Sequence, residues 1–131
     1  MSAAEEATRL HESGYNCAQS VLGGCEAYTG LDAKTARAIS AGFGGGVRCD
    51  EICGAVCGGV MALGLCFPFT DAKDTAAKDR IAALAKTFTA AFREQFGALR
   101  CQELKGDKKN CPAYIAFAAW TAESMISKSG E

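Results

Sequence analysis

Histidine is scarce in this sequence of 131 residues, and several motifs of well-known enzymes are missing. The single histidine, His11, has no cysteine near it in the sequence. A Cys–His nucleophile pair therefore has no support, and we expect His11 at the surface. No H-E-x-x-H or G-x-S-x-G motif occurs, which leaves zinc-protease and serine-hydrolase functions without a basis. No two cysteines form a C-x-x-C pair, so a thioredoxin-type motif and a C-x-x-C-H haem attachment are excluded as well.

An excess of either charge is also missing. The chain has 14 basic and 15 acidic residues, and neither sign forms a long block, which argues against a nucleic-acid-binding face. Residues 52–69 carry no charge at all, but glycines and Pro68 interrupt this stretch. We therefore predict a buried central helix there and no membrane span. Residues 1–6 lack the features of a signal peptide, so we expect a cytoplasmic location.

Cysteine, by contrast, is abundant, with eight residues. In a reducing compartment such a number indicates redox chemistry or metal binding before structural disulfides. Hydrophobic residues make up 49% of the chain, enough for a core without covalent crosslinks. We expect one domain over residues 1–131.

Helix start and stop signals follow one another along the chain, and no segment alternates as a strand does. They predict an all-α, single-domain bundle of about six helices, with a glycine-rich loop before the buried central helix. The first three expected helices are one capped by Ser2 and ending near Gly14, one from Cys17 to about Tyr28 closed by Gly30, and one from Asp32 to about Ala41. The central helix in 52–69 follows, and then a helix from Asp71 or Asp74 to Phe96. A short helix in 98–105 and a polar turn in 106–110 lead to a last helix that opens with Cys111 and has Pro112 as its first helical residue.

The glycine-rich loop spans residues 42–46. No strand precedes it and no Gly-Lys-Ser/Thr follows, so neither a dinucleotide nor a phosphate loop is indicated. We interpret it as a hinge that lets the backbone approach closely, with amides turned toward sulfur. On this ground Gly44, Gly45 and Gly46 are the candidate cofactor-binding residues.

Four cysteines fall at predicted helix starts: Cys17, Cys53, Cys101 and Cys111. A helix start presents unpaired N–H groups and a partial positive charge, both of which stabilise a thiolate. We therefore expect the pKa of each to lie below the usual value of about 8.5. These four are the candidate catalytic residues.

The remaining cysteines are more ambiguous. Cys49, Cys53 and Cys57 are spaced by four and would share one face of a continuous helix, at Cβ distances of about 5–6 Å. They would then share a metal, or take turns as attacking and resolving thiols after local unwinding; the alternative is that Cys57 only packs as a small residue. Cys25 and Cys66 are interpreted as core residues.

Five segments of the chain resemble the C_GCAxxG_C_C family of redox-active proteins, over about residues 14–126. They are residues 16–22, 42–46, 53–58, 96–106 and 111–114. The resemblance implies a redox role carried by Cys17, Cys53, Cys101 and Cys111, and related domains occur joined to haem or iron–sulfur modules. The chain departs from the family pattern by adding Cys25, Cys49, Cys57 and Cys66.

Three functions are compatible with these features. The first is a thiol–disulfide or electron-transfer protein in which Cys17, Cys53, Cys101 and Cys111 converge, with a redox partner of unknown kind. In the second, the same four thiolates ligate an iron–sulfur cluster or zinc, with Cys49 and Cys57 as extra ligands. The third is a helical interaction module that docks through residues 52–69, its cysteines being incidental. The sequence indicates neither the oligomeric state nor the electron donor.

Overall fold

A computed structural model of the chain describes residues 1–105 and 110–129, and most of these residues are helical. In the described ranges no β-strand forms, apart from one isolated antiparallel bridge between Ile52 and Arg100. The all-α prediction is thereby confirmed. The helices are α1 (Ala3–Glu12), α2 (Cys17–Gly24), α3 (Glu26–Thr29), α4 (Ala33–Ser40), α5 (Gly54–Cys66), α6 (Thr75–Phe96), α7 (Cys101–Lys105) and α8 (Cys111–Ser129), with a 3₁₀ turn at Ala41–Phe43.

Local capping sets most helix ends where the sequence predicts them. The Asn16 side chain accepts the N–H of Gln19 at 2.9 Å, while the Gln19 side chain accepts the N–H of Asn16 at 3.1 Å. This reciprocal pair satisfies donors that would otherwise be unpartnered at the start of α2. Asp74 caps α6, and Gly97 ends it in the left-handed conformation with φ 84°. The starts of these helices are confirmed.

Three boundaries differ from the prediction. The second predicted helix breaks at Cys25, whose N–H donates to Leu22 in a tightened turn after two successive glycines. Helix α7 begins only at Cys101, because Arg100 is held in the bridge to Ile52. The carbonyl of Asn110 accepts the first amides of α8, so Pro112 is the second helical residue. Of the predicted polar turn, residues 106–109 lie outside the described residues.

Helix α5 lies at the centre, in contact with α2, α6 and α8. A Cβ placed on Gly58 would lie 2.7 Å from the carbonyl oxygen of Ala18, and one placed on Gly59 would overlap the Phe88 ring. Glycine is therefore what lets α2 and α6 pack directly on the α5 backbone. No helix within the described residues has the length and apolarity to cross a membrane.

The aromatic residues of α6 form a stripe that faces the core. Phe88 and Phe92 are buried, and Phe96 packs against the core. The Phe96 ring lies edge-on to that of Tyr114 on α8, with centroids 4.8 Å apart. This contact joins α6 to the first turn of α8.

Two glycines of α5 provide a matched test of this packing. We expect Gly58→Ala to destabilise the protein by about 1–3 kcal/mol, because the added methyl must displace backbone of α2. Gly64→Ala is the control, since nothing lies within 4 Å of its Cβ position; it should stabilise the helix by up to about 1 kcal/mol. Urea unfolding followed by far-ultraviolet circular dichroism measures both. Equal effects of the two substitutions would contradict the close α2–α5 packing.

Candidate functional site: a four-cysteine cavity

Four cysteines at four helix starts line one small cavity. Cys17, Cys101 and Cys111 are the first residues of α2, α7 and α8, and Cys53 is the N-cap of α5. The cavity offers ≈10 Å³ to the centre of a water molecule, which is room for about one water. The structure therefore brings together all four cysteines that the sequence indicates. The other residues lining the cavity are Gly45, Gly54, Leu104 and Tyr114.

Cys17 is held in place by the cap of its own helix. The Asn16 side chain that caps α2 also donates to the carbonyl of Ala41 at 2.9 Å. The same side chain fills the space next to Gly44, where a Cβ would lie 2.8 Å from Asn16 Cγ. The glycine-rich loop is thus drawn against the start of α2, and the backbone N–H of Gly45 donates to the Cys17 sulfur. The predicted orientation of a loop amide toward sulfur is confirmed at this residue.

The Cys17 sulfur occupies the position that a side chain would take at Gly54. A Cβ built on Gly54 would overlap the Cys17 Sγ and lie 2.8 Å from the Phe43 carbonyl oxygen. Only glycine leaves this room at the first turn of α5. The sulfur therefore lies directly against the backbone that follows Cys53.

A short pairing of two extended segments fixes the other side of the cavity. The N–H of Cys53 donates to the Leu99 carbonyl at 2.8 Å, and the N–H of Cys101 donates to the Glu51 carbonyl at 2.6 Å. Beside this bridge, the Arg100 guanidinium binds the Glu51 carboxylate through two contacts of 3.0 and 3.1 Å. These bonds fix the starts of α5 and α7 relative to one another.

The loop that covers the site is a tight left-handed turn, where the sequence predicts a hinge. Gly45, Gly46, Val47 and Arg48 have φ values of 62°, 63°, 59° and 62°. This conformation is costly for a β-branched residue such as Val47. A Cβ on Gly46 would lie 2.9 Å from that of Cys101, so the turn packs tightly on the cavity wall. That Gly44, Gly45 and Gly46 bind a cofactor stays a prediction.

Cys17 is the acidic thiol of the site. A hydrogen bond from the Cys53 thiol, together with the backbone amides of Gly45 and Ala18 and its own amide, lowers the pKa of Cys17 to about 6 despite its partial burial. Near neutral pH this sulfur is a thiolate, as its place at a helix start predicts.

The pKa of Cys53 shifts in the opposite direction, so the sequence prediction of a lowered pKa is wrong for this residue. Its hydrogen bond to the charged Cys17 sulfur, followed by burial, raises the pKa of Cys53 well above the ordinary value. The amides of Ala55 and Val56 act the other way, as expected at a helix start, but they are outweighed. Two adjacent sulfurs cannot both ionise readily, so one keeps the proton that the other loses.

The other four cysteines do not line the cavity. The predicted helical row is wrong, because Cys49 lies exposed in the left-handed turn, where its thiol donates to the Gly46 carbonyl at 3.5 Å. Cys57 lies half-buried in the first turn of α5. Burial raises the pKa of Cys25 to about 12, in agreement with its interpretation as a core residue. Cys66 is only partly buried, and its thiol donates to the Tyr28 carbonyl at 3.6 Å.

The four sulfurs are the right donors for zinc or an iron–sulfur cluster. Among the described residues, however, no three histidine, cysteine or acidic side chains are arranged to hold a metal ion. A cavity with room for about one water is also far too small for a four-iron cluster. In this conformation the residues do not fit such a group.

Tyr114 is a site residue that sequence reasoning missed. Its hydroxyl donates to the Leu104 carbonyl at 3.0 Å and ties α8 to the end of α7. The sequence contained a signal, since Tyr114 follows Cys111 by one helical turn and faces the same way.

The pH dependence of alkylation tests the assignment of charge. We expect the rate of Cys17 carboxamidomethylation to have its midpoint near pH 6, because only the thiolate reacts. Cys53→Ala removes the main hydrogen bond to Cys17 and should move the midpoint to higher pH. At a pH below the midpoint, each pH unit of this increase lowers the fraction of reactive Cys17 thiolate about tenfold. Cys53→Ser retains a hydroxyl donor, so its midpoint should lie between those of wild type and Cys53→Ala. The measurement is peptide mass spectrometry of Cys17, and an unchanged midpoint in Cys53→Ala would contradict the assignment.

A second substitution tests the position of the sulfur. Gly54→Ala places a methyl group where the Cys17 sulfur lies, so we expect the sulfur to leave its donors and its alkylation midpoint to rise above pH 6. Gly64→Ala, in the same helix but without a neighbour, should leave the midpoint in place. Equal midpoints in the two variants would show that the Gly54 contact does not hold the thiolate.

The sequence comparisons agree with this geometry. The model of the family described as "Putative redox-active protein (C_GCAxxG_C_C)" matches residues 15–125, a range that contains all four cavity cysteines. No curated protein and no solved structure matches the chain. Since the matched range covers most of the sequence, the chain belongs to the C_GCAxxG_C_C family of redox-active proteins.

Proposed function

We propose that this protein is a dithiol–disulfide redox protein in which Cys17 is the attacking thiol and Cys53 the resolving thiol. The observation that carries the proposal is that one of the two sulfurs is ionised while the other keeps its proton. The pKa of Cys17 is lowered to about 6 while that of Cys53 is raised. Cys17 is partly exposed and Cys53 is buried, so the charged sulfur is also the one that a substrate can reach.

In the first step the Cys17 thiolate attacks one sulfur of a disulfide substrate. The substrate S–S bond breaks, and the leaving half departs as a thiolate that takes a proton from solvent. Cys17 is now in a mixed disulfide and carries no charge. Exchange of this kind is fastest when the pKa of the attacking thiol lies near ambient pH, a condition that a pKa of about 6 approaches.

Loss of the Cys17 charge activates Cys53. The main cause of its raised pKa, the hydrogen bond to the Cys17 thiolate, disappears, so the pKa of Cys53 falls; burial still raises it, and the amides of Ala55 and Val56 act against burial. The Cys53 thiolate attacks the Cys17 sulfur and expels the second half of the substrate. The sum is one protein disulfide and two substrate thiols from one protein dithiol and one substrate disulfide. A thiol reductant reverses it.

Cys101 and Cys111 complete the wall of the same cavity. We assign them to a second dithiol, which exchanges with the Cys17–Cys53 disulfide. Cys101 is buried and Cys111 is partly exposed, the same division between an inner and an outer sulfur as in the first pair.

Metal ligation and partner docking have less support. In the described part of the chain, no three histidine, cysteine or acidic side chains are arranged to hold a metal ion. The uncharged stretch that would dock a partner instead supplies the buried face of α5. Thiol exchange needs only the contacts that are present.

Disulfide mapping tests the proposal. Reduced protein treated anaerobically with oxidised glutathione should form the Cys17–Cys53 disulfide first, with two reduced glutathiones released for each protein. Cys17→Ser should abolish this rapid phase, because it removes the thiolate that attacks the substrate. Peptide mass spectrometry of samples quenched over time measures both results.

Cys66→Ser is the control and should form the same first disulfide, since Cys66 does not line the cavity. A first disulfide that omits Cys17 would contradict the proposal. So would stoichiometric iron with sulfide, or zinc, bound through the four cysteines after anaerobic purification.

A further inference from the structure

Cys57 is the thiol of interest beyond the four-cysteine cavity. It lies one helical turn after Cys53, and its N–H donates to the Cys53 carbonyl at 3.1 Å. Its sulfur is half-buried, with the thiol 4.0 Å from the Ile52 carbonyl. Unlike Cys53, it does not line the cavity.

The register of α5 directs Cys57 toward Cys17. The Cys17 sulfur lies where the Cβ of Gly54 would be, and residues three apart on a helix share one face at about 5–6 Å between Cβ positions. Cys57 is three residues after Gly54. The Cys17 sulfur therefore has Cys53 on the cavity side and Cys57 about one helical turn further along α5.

Electrostatics agree with this placement. Burial, and then the negative charge on Cys17, raises the pKa of Cys57. The second cause requires that the two sulfurs lie near one another. It also vanishes once Cys17 enters a mixed disulfide, as the corresponding cause does at Cys53.

We propose that Cys57 is a second resolving thiol for Cys17. This inference rests on the proposed function, because it requires a mixed disulfide on Cys17. The Cys57 thiol gives its proton to solvent, its sulfur attacks the Cys17 sulfur, and the substrate half leaves as a thiolate that takes up a proton. The product is a Cys17–Cys57 disulfide, formed when Cys53 is engaged in a disulfide with another cavity cysteine. The chain thereby gains a route that its family pattern does not contain.

The Cys53→Ser variant isolates this route, because serine removes the first resolving sulfur and retains a hydroxyl donor to Cys17. Treated with oxidised glutathione, it should form a Cys17–Cys57 disulfide and release two glutathiones, more slowly than wild type. The double variant Cys53→Ser/Cys57→Ser should stop with one glutathione on Cys17. The matched control Cys53→Ser/Cys66→Ser should still form the Cys17–Cys57 disulfide. Peptide mass spectrometry reads the products, and circular dichroism checks that each variant is folded.

Two results would overturn the inference and leave the proposed function standing. One is a persistent glutathione adduct on Cys17 in Cys53→Ser, as in the double variant. The other is a disulfide from Cys17 to a cysteine other than Cys57 in that variant. A Cys17 that reacts with glutathione in no variant, wild type included, would overturn the proposed function and this inference together.

Discussion

The structure of this site depends on one contact, in which the Cys17 sulfur lies against the backbone at the start of α5. A Cβ on Gly54 would overlap that sulfur, and one on Gly58 would collide with the Ala18 carbonyl one turn further on. The glycines that bring the two helices together are thus the same ones that admit the sulfur. The core and the chemical site share one interface, so a change that loosens α2 against α5 also moves the nucleophile away from its donors.

The opposite pKa shifts of Cys17 and Cys53 follow from this closeness. Both sulfurs receive backbone amides at a helix start, and these amides favour the ionised form of each. Once one is charged, the other is held as a thiol, because it donates its proton to the thiolate and would otherwise place two charges side by side. The charge lies on Cys17, the more exposed of the two residues. The helix starts make a thiolate favourable, and the hydrogen bond between the two sulfurs leaves the charge on one of them.

Most of the framework was predictable because it is encoded locally. The capping box of Asn16 and the glycine at residue 97 set helix ends through neighbouring residues. The features that escaped prediction arise from distant contacts. Val47 adopts a left-handed conformation, and Cys53 resists ionisation. Each depends on which residue lies opposite in the fold, and a sequence pattern does not contain that information.

Cysteines with raised pKa values are not equivalent, because the cause of the increase differs among them. Burial is the first cause for Cys25 and Cys66, and no event at the cavity removes it. For Cys53 the main cause is the hydrogen bond to charged Cys17, and for Cys57 that charge adds to burial. The part of the pKa increase that the Cys17 thiolate causes is lost when Cys17 forms a mixed disulfide with a substrate. In the proposed reaction the resolving thiols therefore stay protonated until a mixed disulfide exists, so that electrostatics sets the order of the two steps.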